Sequence, residues 1–164
     1  MDERNLKTRR IAFAAIIAAL YVVLTAIASA AGLSSGAIQF RISEALCILP
    51  AFTPAAVPGL AIGCLLSNLL AGGIALDVAF GTLATLLGAI GTYLLRKNRW
   101  LAGVCPIAAN MLIMPWVLRV GYGIPTPYWT LALTVGIGEF VCAGIGGQLL
   151  YSLIRRRKLD QFIK

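Results

Sequence analysis

Charged residues in this chain stand between long uncharged runs. None occurs from Ile11 to Ala31, from Ala45 to Leu76, from Val78 to Leu95 or from Trp100 to Leu118, and only Glu139 interrupts the run from Val120 to Ile154. A helix needs about 20 predominantly apolar residues to cross a bilayer. The pattern therefore predicts spans over 11–31, 78–95, 101–118 and 129–154. The run 45–76 holds two shorter helices, 44–57 and 58–74, because Pro50, Pro54 and Pro58 prevent one continuous helix. Barrel strands would alternate apolar and polar residues, and these runs do not. The reading is an all-α membrane protein, a six-transmembrane-helix bundle in which residues 1–164 form a single membrane domain.

Composition agrees: 60% of residues are hydrophobic and 12% charged, against about 45–50% and 25% in soluble domains. The net charge of +8 accompanies a mean hydropathy of +0.89. A nucleic-acid binder would carry that charge on a polar surface, so nucleic acid is not an expected partner. Soluble catalysis is excluded on the same ground. No phosphate loop, nucleophile elbow or metal-ligand cluster is present, so the chain reads as neither an enzyme nor a metal protein. Cys47, Cys64, Cys105 and Cys142 lie in apolar stretches without a CxxC pair, and histidine is absent, so the cysteines read as packing residues.

Basic residues give the orientation. Twelve of the fourteen fall in three segments: before the first helix (Arg4, Lys7, Arg9, Arg10), between the fourth and fifth (Arg96, Lys97, Arg99), and after the sixth (Arg155, Arg156, Arg157, Lys158, Lys164). The positive-inside rule assigns that side, and both termini, to the cytoplasm. The first run is longer than a signal-peptide core, so it is expected to stay as a membrane span despite Ala28-Ser29-Ala30. It also carries small residues four apart, Ala14 with Ala18 and Ala15 with Ala19, as the third helix does at Gly59 and Gly63. Such spacing lets helix backbones approach closely, either within the bundle or against a partner helix.

Polar residues within the apolar runs are the candidate chemistry, since a charge at the bilayer centre costs roughly 2.5–3.5 kcal/mol on insertion scales. Glu139 lies roughly 15 Å into the sixth helix and Asn110 roughly 12 Å into the fifth, at 1.5 Å per residue. Asn68 occupies a similar level on the third. Asp77 stands where a carboxylate can cap the fourth helix or serve a ligand. Gln39, Arg41 and Glu44 precede the second helix, Arg41 and Glu44 being spaced for an ion pair. Trp116, Arg119, Tyr122, Tyr128 and Trp129 flank the last outer loop, where an aromatic belt would also place Trp and Tyr. Carboxylates, amides and aromatic faces together suit a planar, nitrogen-rich small molecule.

Three segments carry a resemblance: GAIQFRISEAL (Gly36–Leu46), LPAFTPAAVPGLAIGC (Leu49–Cys64) and DVAFGTLATLLGA (Asp77–Ala89). The chain resembles the QueT family of S components, the substrate-binding membrane subunits of energy-coupling factor (ECF) transporters for queuosine precursors. The resemblance implies a prokaryotic cell-membrane protein that captures a vitamin-like molecule from outside, under a lid formed by the loop between helices 1 and 2. It implies docking through Ala14, Ala18, Ala15 and Ala19 on a coupling membrane subunit with two ATPases, which use the ATP, so no cofactor belongs to this chain. The implied ligand is a 7-deazaguanine such as preQ1, or queuine. Glu139 or Asp77 would read the ring edge, and Glu44 or the remaining carboxylate would meet an amine. Asn110 and Asn68 would complete the hydrogen bonds, and Trp or Tyr would stack on the ring. The alternative is a stand-alone carrier coupled to protonation of Glu139.

Overall fold

The computed structural model describes residues 3–33 and 39–163, and among them the chain is entirely helical. Helix α1 (Glu3–Ala30) is followed by a 3-10 segment (Ile42–Ala51), α2 (Ala56–Leu70), α3 (Ala75–Leu94) and α4 (Arg99–Gly121). Then come α5 (Tyr128–Glu139), a π segment (Phe140–Gly146), α6 (Gly147–Arg156) and the short α7 (Asp160–Ile163). Among the described residues four helices are long and apolar enough to cross a membrane: Arg4–Ala30, Ala75–Leu94, Arg99–Gly121 and the continuous run Tyr128–Arg156. The outward face is apolar over its length, with Ile16, Val23, Leu69, Leu87, Leu112 and Leu149 exposed, as a lipid-facing surface requires. The centre of the loop expected to act as a lid, 34–38, lies outside the described residues.

The second element departs from expectation. In place of an α-helix over 44–57, Ile42–Ala51 winds as a 3-10 helix, with Ser43, Glu44, Leu46, Cys47, Ile48, Leu49 and Pro50 buried. At about 2.0 Å per residue its ten residues cover roughly 20 Å, where an α-helix would cover about 15 Å. A short segment thus reaches deep into the bundle, where it packs on α1, α2, α3, α4, α6 and the π segment. The chain then turns over Phe52–Ala55, with Phe52 and Thr53 N–H groups both donating to the Leu49 carbonyl. Pro54 supplies no N–H to continue the ladder, whereas Pro58 falls in the first turn of α2, where a missing N–H leaves nothing unmet. That difference moves the break upstream of 57/58.

Helix α4 carries Pro106 and Pro115 in its interior. Pro106 releases the carbonyl of Ala102 four residues earlier, and the Thr92 hydroxyl of α3 donates to it at 3.0 Å. In an apolar surrounding that replacement matters more than in water. Gly88 makes the crossing possible, since a Cβ there would stand 2.7 Å from Pro106 Cα. On the other side, Gly59 and Gly63 press against Ala14, Ala18 and Tyr21, with a Cβ at either glycine coming within 2.7 Å of α1. Ala14 and Ala18 therefore serve the α1–α2 contact, while Ala15 and Ala19 face outward.

Candidate functional site

At the end of the bundle opposite both termini, the helix ends spread around a cavity of about 370 Å³. Asn68 near the end of α2, Asp77 in the first turn of α3 and Met114, Leu118 and Tyr122 from α4 line it, with Gln39 and Arg41 above the 3-10 segment. A smaller hollow of about 20 Å³ adjoins it, sharing Gln39, Arg41, Met114 and Leu118 and adding Asn110, Val135 and Glu139. Helix α4 supplies one stripe at four-residue spacing: Asn110, Met114, Leu118 and Tyr122. Residues at that spacing stack along one helix face, and in the sequence the stripe begins at the buried asparagine.

Asp77 is not a cap. The N-cap of α3 is Ile74, without a side-chain bond, and the carboxylate of Asp77 is turned inward. Its Oδ2 accepts from the Tyr122 hydroxyl at 2.9 Å, and Arg41 lies 3.9 Å from its Oδ1. The Asn68 amide donates to the Asp77 carbonyl at 3.4 Å, and Gly81 leaves room for that amide, since a Cβ there would meet it at 2.9 Å. Partial desolvation, then the neighbouring Asp77 carboxylate, raise the Tyr122 phenol above its ordinary value, which keeps it a donor.

Arg41 thus pairs with Asp77 and not with Glu44, three residues on. Glu44 is almost fully buried and already satisfied: Tyr21 donates its hydroxyl to Oε1 and Cys47 its thiol to Oε2 at 3.0 Å. Thr25 links the same region through Ser43 at 2.8 Å. This network fastens the 3-10 segment to α1 directly beneath Arg41. Glu139 differs. It is 7% exposed, with Glu44, Arg41 and Asn110 as its charged and polar neighbours, and the Asn110 amide itself donates to the Pro106 carbonyl at 3.2 Å.

Two buried carboxylate oxygens, Asp77 Oδ1 and Glu139 Oε2, have no hydrogen-bond partner among the described residues. Buried polar atoms are nearly always satisfied in folded proteins. Both face hollows whose shared wall is Gln39, Arg41, Met114 and Leu118. The arrangement offers acceptors for N–H groups, a guanidinium for a carbonyl, and apolar Met and Leu surfaces for a flat ring.

The structure brings Gln39, Arg41, Asn68, Asp77, Asn110 and Glu139 to these hollows. It places the other four elsewhere: Glu44 beneath Arg41, held by Tyr21 and Cys47, and three aromatics outside the hollows. Trp116 is exposed and packs edge-on against Phe80. Tyr128 and Trp129 stack edge-to-face on one another, with the Tyr128 hydroxyl held by the Leu112 carbonyl at 2.7 Å. Tyr122 is the aromatic in the wall of the larger cavity. Thr25, Ser29, Met114, Leu118 and Val135 also line the hollows and were not singled out from sequence, because apolar and hydroxyl residues inside spans carry no polarity signal.

A family model described as QueT transporter matches residues 11–156 of the chain. A curated protein of Lactococcus lactis subsp. cremoris (strain MG1363), named Queuosine precursor transporter QueT, is 30% identical over 166 residues. That similarity covers 94% of this chain and 98% of the relative. No solved structure matches significantly.

Proposed function

The chain belongs to the QueT transporter family, and from that premise we propose that it captures queuosine precursors as the S component of an ECF importer. The observation that carries the ligand class is the pair of buried carboxylate oxygens without a hydrogen bond among the described residues: Glu139 Oε2, and Asp77 Oδ1, which Arg41 approaches only to 3.9 Å. A guanine-type edge presents adjacent N–H donors, which a carboxylate accepts side by side, and an aminomethyl substituent brings a cation that a second carboxylate meets.

On this reading Glu139 takes the ring edge, with Asn110 beside it, and Asp77 takes the amine. Arg41 swings between Asp77 and the ring carbonyl. Met114 and Leu118 bear the ring faces. Glu44 supports the site from below and makes no ligand contact, its oxygens being held by Tyr21 and Cys47. Asn68 keeps the start of α3 in place through the Asp77 carbonyl.

Six passes follow when the 3-10 segment and α2 each count as a crossing. The basic segments then place both termini in the cytoplasm and the cavity on the outer side of a prokaryotic cell membrane. The loop between α1 and the 3-10 segment closes over the ligand. The loaded subunit docks on a coupling membrane subunit with two ATPases, whose ATP hydrolysis drives release inward. A groove of about 540 Å³ lined by Ala14, Ala15, Ala18, Pro54, Pro58 and Ile62 supports docking along α1. Calorimetric titration of the purified chain with preQ1, queuine and guanine tests the reading. Tight binding of a deazaguanine is expected. Absence of any binding by folded protein overturns it, and uptake that an uncoupler abolishes without an ATPase partner would establish a proton-coupled carrier instead.

A further inference from the structure

Beside the carboxylate cavity lies a hollow of about 320 Å³ with different chemistry. Thr126, Thr130 and Thr134 line it together with apolar Ile124, Leu131 and Val135, and among the described residues no charged one does. Gln39, Leu118 and Ile124 belong to its wall and to that of the carboxylate cavity, and the Gln39 amide is the polar side chain where the two spaces meet.

Thr130 and Thr134 lie one turn apart on α5, and Thr126 stands in the loop that leads into it. The Thr134 hydroxyl is returned to its own helix, donating to the Leu131 carbonyl at 3.0 Å. Those of Thr126 and Thr130 make no hydrogen bond among the described residues, and both side chains are accessible. Hydroxyls both donate and accept, so this wall suits neutral groups that do the same, such as other hydroxyls. An anionic group would call for Arg or Lys, and neither lines the hollow among the described residues. At roughly 30 Å³ per water the space would hold on the order of ten waters. A two-ring base seated against Asp77 and Glu139 would leave it unused.

We propose that this threonine-lined hollow receives a neutral, hydroxylated ring carried as a substituent on the heterocycle. The chain then selects the larger, diol-bearing deazaguanines over the bare aminomethyl base. The proposal rests on the carboxylate cavity being the base site, as argued above.

The probes are preQ1, which has the aminomethyl group alone, and queuine, in which a dihydroxycyclopentenyl ring is attached to that amine. Titration of the full chain is expected to show queuine binding more tightly. Replacing Thr126→Val and Thr130→Val together keeps shape while removing the hydroxyls. It should weaken queuine on the order of ten-fold and leave preQ1 within two-fold, so that preQ1 reports that the variant is folded. Thr130→Ser together with Thr126→Ser should restore queuine. Equal losses for the two ligands, or preQ1 binding with no queuine binding, would overturn the hollow's role while leaving the base site intact. Loss of both ligands by the wild-type chain would instead overturn the base site itself.

Discussion

One oxygen of Glu139 is buried without a hydrogen bond among the described residues, which makes this residue the sharpest test of the proposed site. A carboxylate buried with an empty acceptor position lowers the stability of the ligand-free protein, and a bound N–H donor relieves that penalty. Glu139→Gln should therefore separate stability from binding. Affinity for a deazaguanine is expected to fall by about 10- to 100-fold, the range of a hydrogen bond to a charged group (about 1.5–3 kcal/mol). The thermal midpoint of the ligand-free protein should hold or rise. Calorimetry and a melting curve in the same detergent check both, and a variant that melts early yet binds normally would contradict the assignment. Tyr21→Phe should behave in the opposite way. It strips the donor from Glu44 Oε1 in a nearly inaccessible position, costing about 1–3 kcal/mol of stability. Its effect on binding should be secondary to that loss.

Among the elements, the long spans were legible and the short central one was not. Uncharged runs bounded by Arg, Lys, Asp and Glu mark α1, α3, α4 and the last span, because the bilayer enforces both length and polarity. Charge says nothing about whether ten apolar residues wind as α or 3-10. That choice at Ile42–Ala51 follows from how far the segment reaches inside a packed bundle, which is a property of its neighbours. Nor does sequence mark which proline breaks a helix: Pro106 is absorbed because Thr92, distant in the chain, meets the freed carbonyl. The candidate site residues divide in the same way as to where they lie. Buried charges and amides announced themselves, since each needs a reason to be in the membrane. Trp116, Tyr128 and Trp129 looked like ring-stacking candidates but sit on the outside, where interface anchoring accounts for aromatics equally well. A prediction at this scale concerns the α1–α2 seam. Gly63→Ala would place a Cβ 2.7 Å from Tyr21 Cβ and 3.0 Å from the Ala18 carbonyl. The helices must part, at a cost of about 1–3 kcal/mol. Because Tyr21 then shifts from Glu44, the variant should also weaken ligand binding, and a melting curve unchanged by G63A would show the seam to be looser than the geometry implies.

For the whole molecule, the α-helical periodicity of α1 separates two tasks that a run of alanines alone leaves mixed. Ala14 and Ala18 are taken up by α2, while Ala15 and Ala19 stay exposed beside a broad groove whose other wall is Pro54, Pro58 and Ile62. In lipid an exposed small-residue face gains little from the hydrophobic effect, and its advantage is that another helix backbone can come close. Ala15→Leu together with Ala19→Leu should leave the fold and the distant ligand cavity untouched, because neither side chain contributes to the core. Calorimetry on the isolated double variant should return wild-type affinity. Uptake of labelled precursor by cells that also express a coupling subunit and its ATPases should fall at least ten-fold, since two leucines would hold the partner backbone away. Retained binding with lost uptake would assign this face to energy coupling. Full uptake would mean that the partner approaches another face, and joint loss of binding and uptake would mean that the face belongs to the fold.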